Sequence, residues 1–346
     1  MTLTLRMGRI SLPISLRFVI AAPLLLLALI ASAYLALGVG SSVTAPADVL
    51  AAILSPREAL SPGARAIADF RLPRVQVAIM AGAMMAASGY LLQVVSRNGL
   101  ADPGILGLSD GATVAVMLVT FLYGPIAVGQ LGLVSLVGAV ATAGLVLGLG
   151  RRLLTGGGII LVGLSINIVL GAVVEMILVS GTSAQFAQIM TWSRGTLGTA
   201  DGPDAAMMAR WFCLLMPVLL LGSRMLHPLL LGEEAAMALG LPARAVLVAG
   251  VLLAAAFAAP VIAVCGPIGF IGLMSAWIAR GIVGERPTEV VLIAMPVGAG
   301  ILLWADTLGR VLFSPITVSA GIMVSVVGAL SFILVARTGR RSRASS

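Results

Sequence analysis

Long apolar stretches alternate with short polar breaks along all 346 residues of the chain. Residues 18–47 and 246–279 contain no charged side chain, and each exceeds the ~20 residues that cross a bilayer as a helix. The pattern predicts an all-α integral membrane protein forming a single transmembrane domain. Its ten spans fall near 18–38, 72–95, 107–123, 127–149, 158–180, 209–226, 244–264, 267–283, 290–308 and 316–336. Turn residues punctuate the tight connections, as at Tyr123-Gly124-Pro125. Arg6, Arg9 and Arg17 precede the first apolar stretch and Ala31-Ser32-Ala33 ends it, as in a secretory leader. That stretch is longer than the ~7–15 residues of a leader's apolar region, so it is read as a span.

Composition agrees: 60% of residues are hydrophobic and 10% charged, where a soluble domain carries about 25% charged residues. All 21 basic residues are arginine. They are scattered between apolar runs, the pattern of loops beside phospholipid rather than of a nucleic-acid-binding face. With the N-terminus inside, fourteen arginines fall on the cytoplasmic side and seven outside, counting Arg57, Arg65, Arg71, Arg74, Arg194, Arg210 and Arg310 as outer. That excess satisfies the positive-inside rule, and ten spans return both termini to the cytoplasm. The two long outer segments, 39–70 and 181–209, are too short and too polar to be separate domains. The longest inner loop, 227–243, holds a short helix-like stretch at 233–239.

Catalytic chemistry has little to work with. His227 is the only histidine, so no histidine-rich metal cage is available and a Ser/His/Asp triad would depend on it. Followed by Pro228 at a span end, it reads as an interfacial residue. The absence of lysine excludes a phosphate-binding GxxxxGK[ST] loop. Cys213 and Cys265 lie in apolar runs without a CxxC pair and read as small buried hydrophobes. Met80, Met84 and Met85 read as core.

A mid-bilayer charge costs about 2.5–3.5 kcal/mol on insertion scales, so each one needs a reason. Glu175 follows Asn167 by eight residues in the fifth span; the two either satisfy polar contacts inside the bundle or line a translocation path. Asp306 and Arg310, four apart, can pair on one helix face. Close small-residue spacings, such as Gly82 to Ala86 and Gly163 to Asn167 to Gly171, permit tight helix packing. A GxxGL echo opens the third span (Gly104 to Leu108) and the eighth (Gly269 to Leu273), running in opposite directions as inverted repeats would.

Several spaced motifs carry a resemblance. Arg71-Leu-Pro-Arg74 is followed by Gly82-Ala83, Ser88-Gly89, Gln93 and Arg97-Asn98-Gly-Leu-Ala-Asp102-Pro103-Gly-Ile-Leu-Gly107. Farther on come Trp192-Ser-Arg-Gly195-Thr-Leu197, Gly232-Glu233-Glu-Ala235 with Leu239-Gly240, Gly266-Pro-Ile-Gly-Phe270-Ile-Gly272-Leu273, and Ala305-Asp306 with Arg310. In this order, over residues 15–336, they resemble the FecCD family, permease subunits of ATP-driven (ABC) importers of iron-siderophores, haem and cobalamin.

The resemblance implies a vitamin B12/iron-siderophore permease-like fold of ten spans in the bacterial cytoplasmic (inner) membrane, working as a homodimer or a paralogous heterodimer. Arg71, Arg74 and Arg310 match arginines that dock acidic residues of a substrate-binding protein, where forked guanidiniums favour carboxylates. Gly232, Glu233, Glu234, Ala235, Leu239 and Gly240 match the cytoplasmic coupling helix that seats on the ATPase subunits. Thr155, Gly156 and Gly157 fall at the inner gate, and Asn167 and Glu175 lie on the fifth span, which with the tenth would line the path. No cofactor is bound by the chain itself; ATP and magnesium belong to the partner ATPase. The implied cargo is a ferric siderophore, with haem or cobalamin as alternatives. Gly99, Ala276-Trp277 and Thr317-Val318-Ser319 depart from the family pattern and leave the substrate details open. An ion-coupled secondary transporter would need mid-membrane acids, for which Glu175 and Asp306 are the candidates. A zinc or manganese permease would need histidine-rich segments, and a membrane enzyme would need catalytic groups the sequence lacks.

Overall fold

The computed structural model describes residues 2–7, 10–40, 44–124, 127–150, 158–180 and 183–343. Apart from an N-terminal hairpin, β1 (Thr2–Met7) paired antiparallel with β2 (Ile10–Ser15), these residues form helices joined by turns. Ten long helices lie over the ten expected apolar stretches. They are α1 (Leu16–Gly38), α4 (Leu72–Ser96), α5 (Leu108–Tyr123), α6 (Val128–Leu149), α7 (Gly158–Ser180), α9 (Gly202–Gly222), α12 (Ala243–Cys265), α13 (Ile271–Val283), α14 (Pro287–Val311) and α15 (Ala320–Arg343). Among the described residues, seven helical stretches are long and apolar enough to cross a membrane; α5, α13 and the Ala320–Ser331 part of α15 are apolar but shorter. Shorter helices fill the connections: α2 (Pro46–Leu54), α3 (Pro62–Ala66), α8 (Ser183–Ser193), α10 (Leu226–Leu230) and α11 (Glu233–Ala238).

Helix α4 is the centre of the bundle. Its apolar window is 83% buried, whereas that of α1 is wholly unburied, so the outer helices present large aliphatic side chains such as Leu27 and Ile30 to the surroundings. Between apolar helices in lipid no hydrophobic drive remains, and close van der Waals contact must hold them together. Glycine supplies it. A Cβ on Gly82 would lie 2.3 Å from the Gly298 carbonyl oxygen, and one on Gly89 2.5 Å from Gly272 Cα. These contacts seat α4 directly against α14 and α13. Buried hydroxyls add bonds between helices: Ser88 donates to the Ala254 carbonyl at 2.7 Å and Ser135 to that of Ala259 at 2.6 Å.

Helix ends follow local chemistry. Asp201 and Asp204 form a reciprocal capping box, with Asp204 N–H donating to Asp201 at 3.0 Å and Asp201 N–H donating to Asp204 at 3.2 Å. With Pro203 in its first turn, α9 therefore begins seven residues before the expected 209. Helix α12 stops at Gly266 (φ +74°), where a Cβ would fall 2.0 Å from the Trp192 carbonyl oxygen. There Thr196 N–H donates to the Cys265 carbonyl at 2.8 Å and Gly321 N–H to that of Gly195, also at 2.8 Å. Two of the sequence motifs, Trp192–Leu197 and Gly266–Leu273, thus meet the start of α15 at one junction. The two GxxGL segments open short helices, but from different registers: Gly107 precedes α5, whereas Gly272 lies inside α13, after Phe270.

Candidate functional site

At one end of α4, Arg74 grips Asp306 of α14 with both arms of its fork, Nε to Oδ2 at 2.9 Å and Nη2 to Oδ1 at 2.7 Å. Arg310, one turn beyond Asp306, adds an ion pair from Nε at 3.3 Å, as the four-residue spacing predicts. Asp306 is 3% exposed, and the side chains of Arg74 and Arg310 are 16% and 12% exposed. Arg71 turns back into the chain, donating to the Leu37 carbonyl at 2.9 Å and to Thr44 at 3.4 Å. The three arginines therefore share one end of the bundle, each already engaged within the chain. Two guanidiniums on one buried carboxylate leave this Arg74–Asp306–Arg310 cluster with an excess positive charge, and Arg71 lies close by.

The opposite end carries the short helix α11. Gly232 (φ +111°) and Gly240 (φ +81°) bracket it, in backbone conformations that favour glycine at each turn. Glu233 and Glu234 occupy its first turn, where acids complement the helix dipole. Nearby, Arg280 of α13 donates to the side-chain oxygen of Gln93 on α4 and lies over the Tyr90 ring, 5.8 Å from its centre. Gln93 in turn donates to the Gly272 carbonyl at 3.4 Å.

Asn167 of α7 is engaged within the chain. Its amide donates to the Gly104 carbonyl and to the Asp110 carboxylate, pinning α7 to the turn that opens α5. A Cβ on Gly163, one turn earlier, would come within 2.9 Å of Leu106 Cα in that turn. Glu175 lies on an exposed face of α7 together with Ser165 and Ala172. Thr155, Gly156 and Gly157 lie outside the described residues.

The sequence reading left Asp110 out of the acids within apolar segments, although its charge is plain in the sequence three residues after Gly107. It also gave no role to Glu289, which is 5% exposed and accepts bonds from Ser15 N–H at 2.9 Å, the Ser15 hydroxyl, and Arg286 at 3.1 Å. Only the Glu289–Arg286 spacing could have signalled it. Cys213 is exposed, not buried, whereas Cys265 is fully buried. Met84 and Met85 are core as expected. Among the described residues no three His, Cys, Asp or Glu side chains group as a metal would require.

A bundle whose described residues include seven helical stretches long and apolar enough to cross a membrane defines a multi-pass membrane protein. The chain belongs to the FecCD transport family, whose model matches residues 25–338. It is 32% identical over 318 residues to the Fe(3+)-citrate import system permease of Bacillus subtilis (strain 168), covering 92% of this chain and 94% of that one. It is also 32% identical to the achromobactin transport system permease of Dickeya dadantii (strain 3937), covering 95% and 94%. A solved metal-chelate type ABC transporter in an inward-facing conformation superposes with a TM-score of 0.80 at 26% identity, over 91% of this chain and 98% of that chain.

Proposed function

We propose that this chain is the permease subunit of an ABC importer that moves a ferric siderophore across the bacterial inner membrane by alternating access. The observation that carries the reading is the end-to-end similarity to an iron-citrate permease, over more than nine-tenths of both chains. A large, already chelated cargo also suits a chain whose described residues offer no metal-ligand cluster. In this reading both termini are cytoplasmic, and a loaded binding protein docks its acids on the Arg71, Arg74 and Arg310 end. Partner ATPases hold ATP and magnesium and act on residues 232–240. The Thr155–Gly157 segment is the inner gate, and α7 and α15 face the path beside a second permease subunit, identical or paralogous. Glu175 supports this arrangement, since a carboxylate on the outer face of an apolar helix is costly against lipid.

The test is deletion in the native host followed by uptake of radiolabelled ferric citrate, a ferric hydroxamate, haemin and cobalamin, with recovery of the tagged complex. Loss confined to a ferric chelate, with an ATPase co-purifying, is the expected result. Loss confined to haemin or cobalamin would reassign the cargo. A stable complex without any ATPase would overturn the importer.

A further inference from the structure

Arg97 closes α4 in the left-handed conformation, φ 49° and ψ 35°. At such a helix end glycine is the default, because a Cβ there is strained. Only one other non-glycine residue among those described, Phe270, has a positive φ. The strained cap is nevertheless firmly held. Arg97 N–H donates to the carbonyls of Gln93 and Val94, and Asn98 N–H donates to Gln93 at 3.1 Å. The Gln93 side chain is tied in turn to Arg280 and Gly272 of α13. From this anchored cap the Arg97 side chain reaches the start of α11: its Nη1 lies 3.3 Å from where a Cβ on Gly232 would sit.

Helix α4 therefore has Arg74 near one end and Arg97 at the other, separated by some 35 Å at 1.5 Å per residue. Gly232, with no side chain of its own, leaves room for the guanidinium to lie against the backbone that opens α11. From the strained cap, its anchoring and this contact, we infer that Arg97 is a positioning residue that keeps α11 in register with the core helix α4, so that displacement of α11 is passed to the bundle instead of being absorbed in the 231–242 loop. This rests on α11 being the helix the ATPase moves, as proposed above.

A merely structural residue and a coupling residue respond differently to glycine. Arg97→Gly relieves the backbone strain while removing the contact with Gly232. The chromosomal copy is replaced in the native host, uptake of the radiolabelled ferric chelate is measured, and the purified complex is melted. The expected result is a melting temperature equal to or above that of the parent, with uptake down about tenfold, within the range for residues that carry coupling between sites. Arg97→Lys, which keeps the cation and most of the reach, should retain more uptake than Arg97→Gly. Uptake by Arg97→Gly within about twofold of the parent would overturn the inference, as would a parallel fall of uptake and melting temperature. A deletion strain that loses no chelate uptake would instead sink the importer reading itself.

Discussion

The contact between α4 and α14 at Gly82 and Gly298 allows a quantitative test of what holds the bundle together. In Gly82→Ala the new Cβ would sit 2.3 Å from the Gly298 carbonyl oxygen and 2.7 Å from Ala299 Cα. Carbon–oxygen contacts settle near 3.3 Å, so the helices must part by about 1 Å. Both opposing atoms are backbone, and neither can rotate away. The cost is placed near the top of the usual overpacking range, about 3 kcal/mol, reduced by the ~1 kcal/mol that alanine gains over glycine in a helix. Gly171→Ala is the matched control: the sequence spacing gives Gly171 the same packing character, yet a Cβ there meets nothing within 4 Å. It should be neutral or stabilising by up to about 1 kcal/mol. Thermal unfolding of both purified variants in lipid nanodiscs reads the difference. Gly82→Ala melting at or above Gly171→Ala would refute the claim that backbone contact at this crossing is what seats α4 against α14.

Three further substitutions follow. Asp306→Ala strands Arg74 and Arg310 and should destabilise by about 3–5 kcal/mol; Arg74→Gln combined with Asp306→Asn should lose less than the two single changes summed, measured by denaturant unfolding. Ser15→Ala removes both the cap of α1 and a bond to Glu289, costing about 1–2 kcal/mol, read as a lowered melting temperature with uptake retained. Asp102, in the linker between α4 and α5, is raised by burial from 3.8 to about 6 despite the Gly104 N–H bond to it. Its folded form holds a proton that the unfolded form has released between those values, so its contribution to stability falls as pH rises from about 4 to about 6. Parent-minus-Asp102→Asn melting profiles should show that decline and then level off; a flat difference profile would rule it out.

The helices were legible because apolar length is a property of the chain itself, and nine of the ten begin within about four residues of their expected starts. The exception, α9, starts in a polar lead where Asp201, Pro203 and Asp204 extend the helix beyond its apolar part. The Asp306–Arg310 pair was legible from its four-residue spacing. The stronger Arg74–Asp306 grip was not, since its partners are 232 residues apart. Gly82 and Gly171 look alike in sequence because only the neighbouring helix decides whether a glycine is filled against or left open. Cys213 was misread for a related reason: in a membrane protein an apolar setting does not mean an inward one. Arg97 gave no sign of its left-handed cap, because backbone conformation at a helix end is set by what the next segment must reach.

Helix α1 meets α14 as its most extensive neighbour, through Trp304 Nε1–H donating to Ser32 at 3.1 Å and through Ser15 at Glu289. Trp304 is 272 residues from Ser32 in the chain. At about 5–20 residues per second, the helix made first waits roughly 15–55 s for its main contact to be synthesised. During biosynthesis α1 therefore has only smaller contacts, among them those with α2 and α4, and stays largely lipid-solvated until α14 is made. Truncations that stop before α14 should leave it accessible to insertion machinery and to membrane proteases, so quality control can distinguish a finished permease from an unfinished one by whether its first helix has found its last major partner.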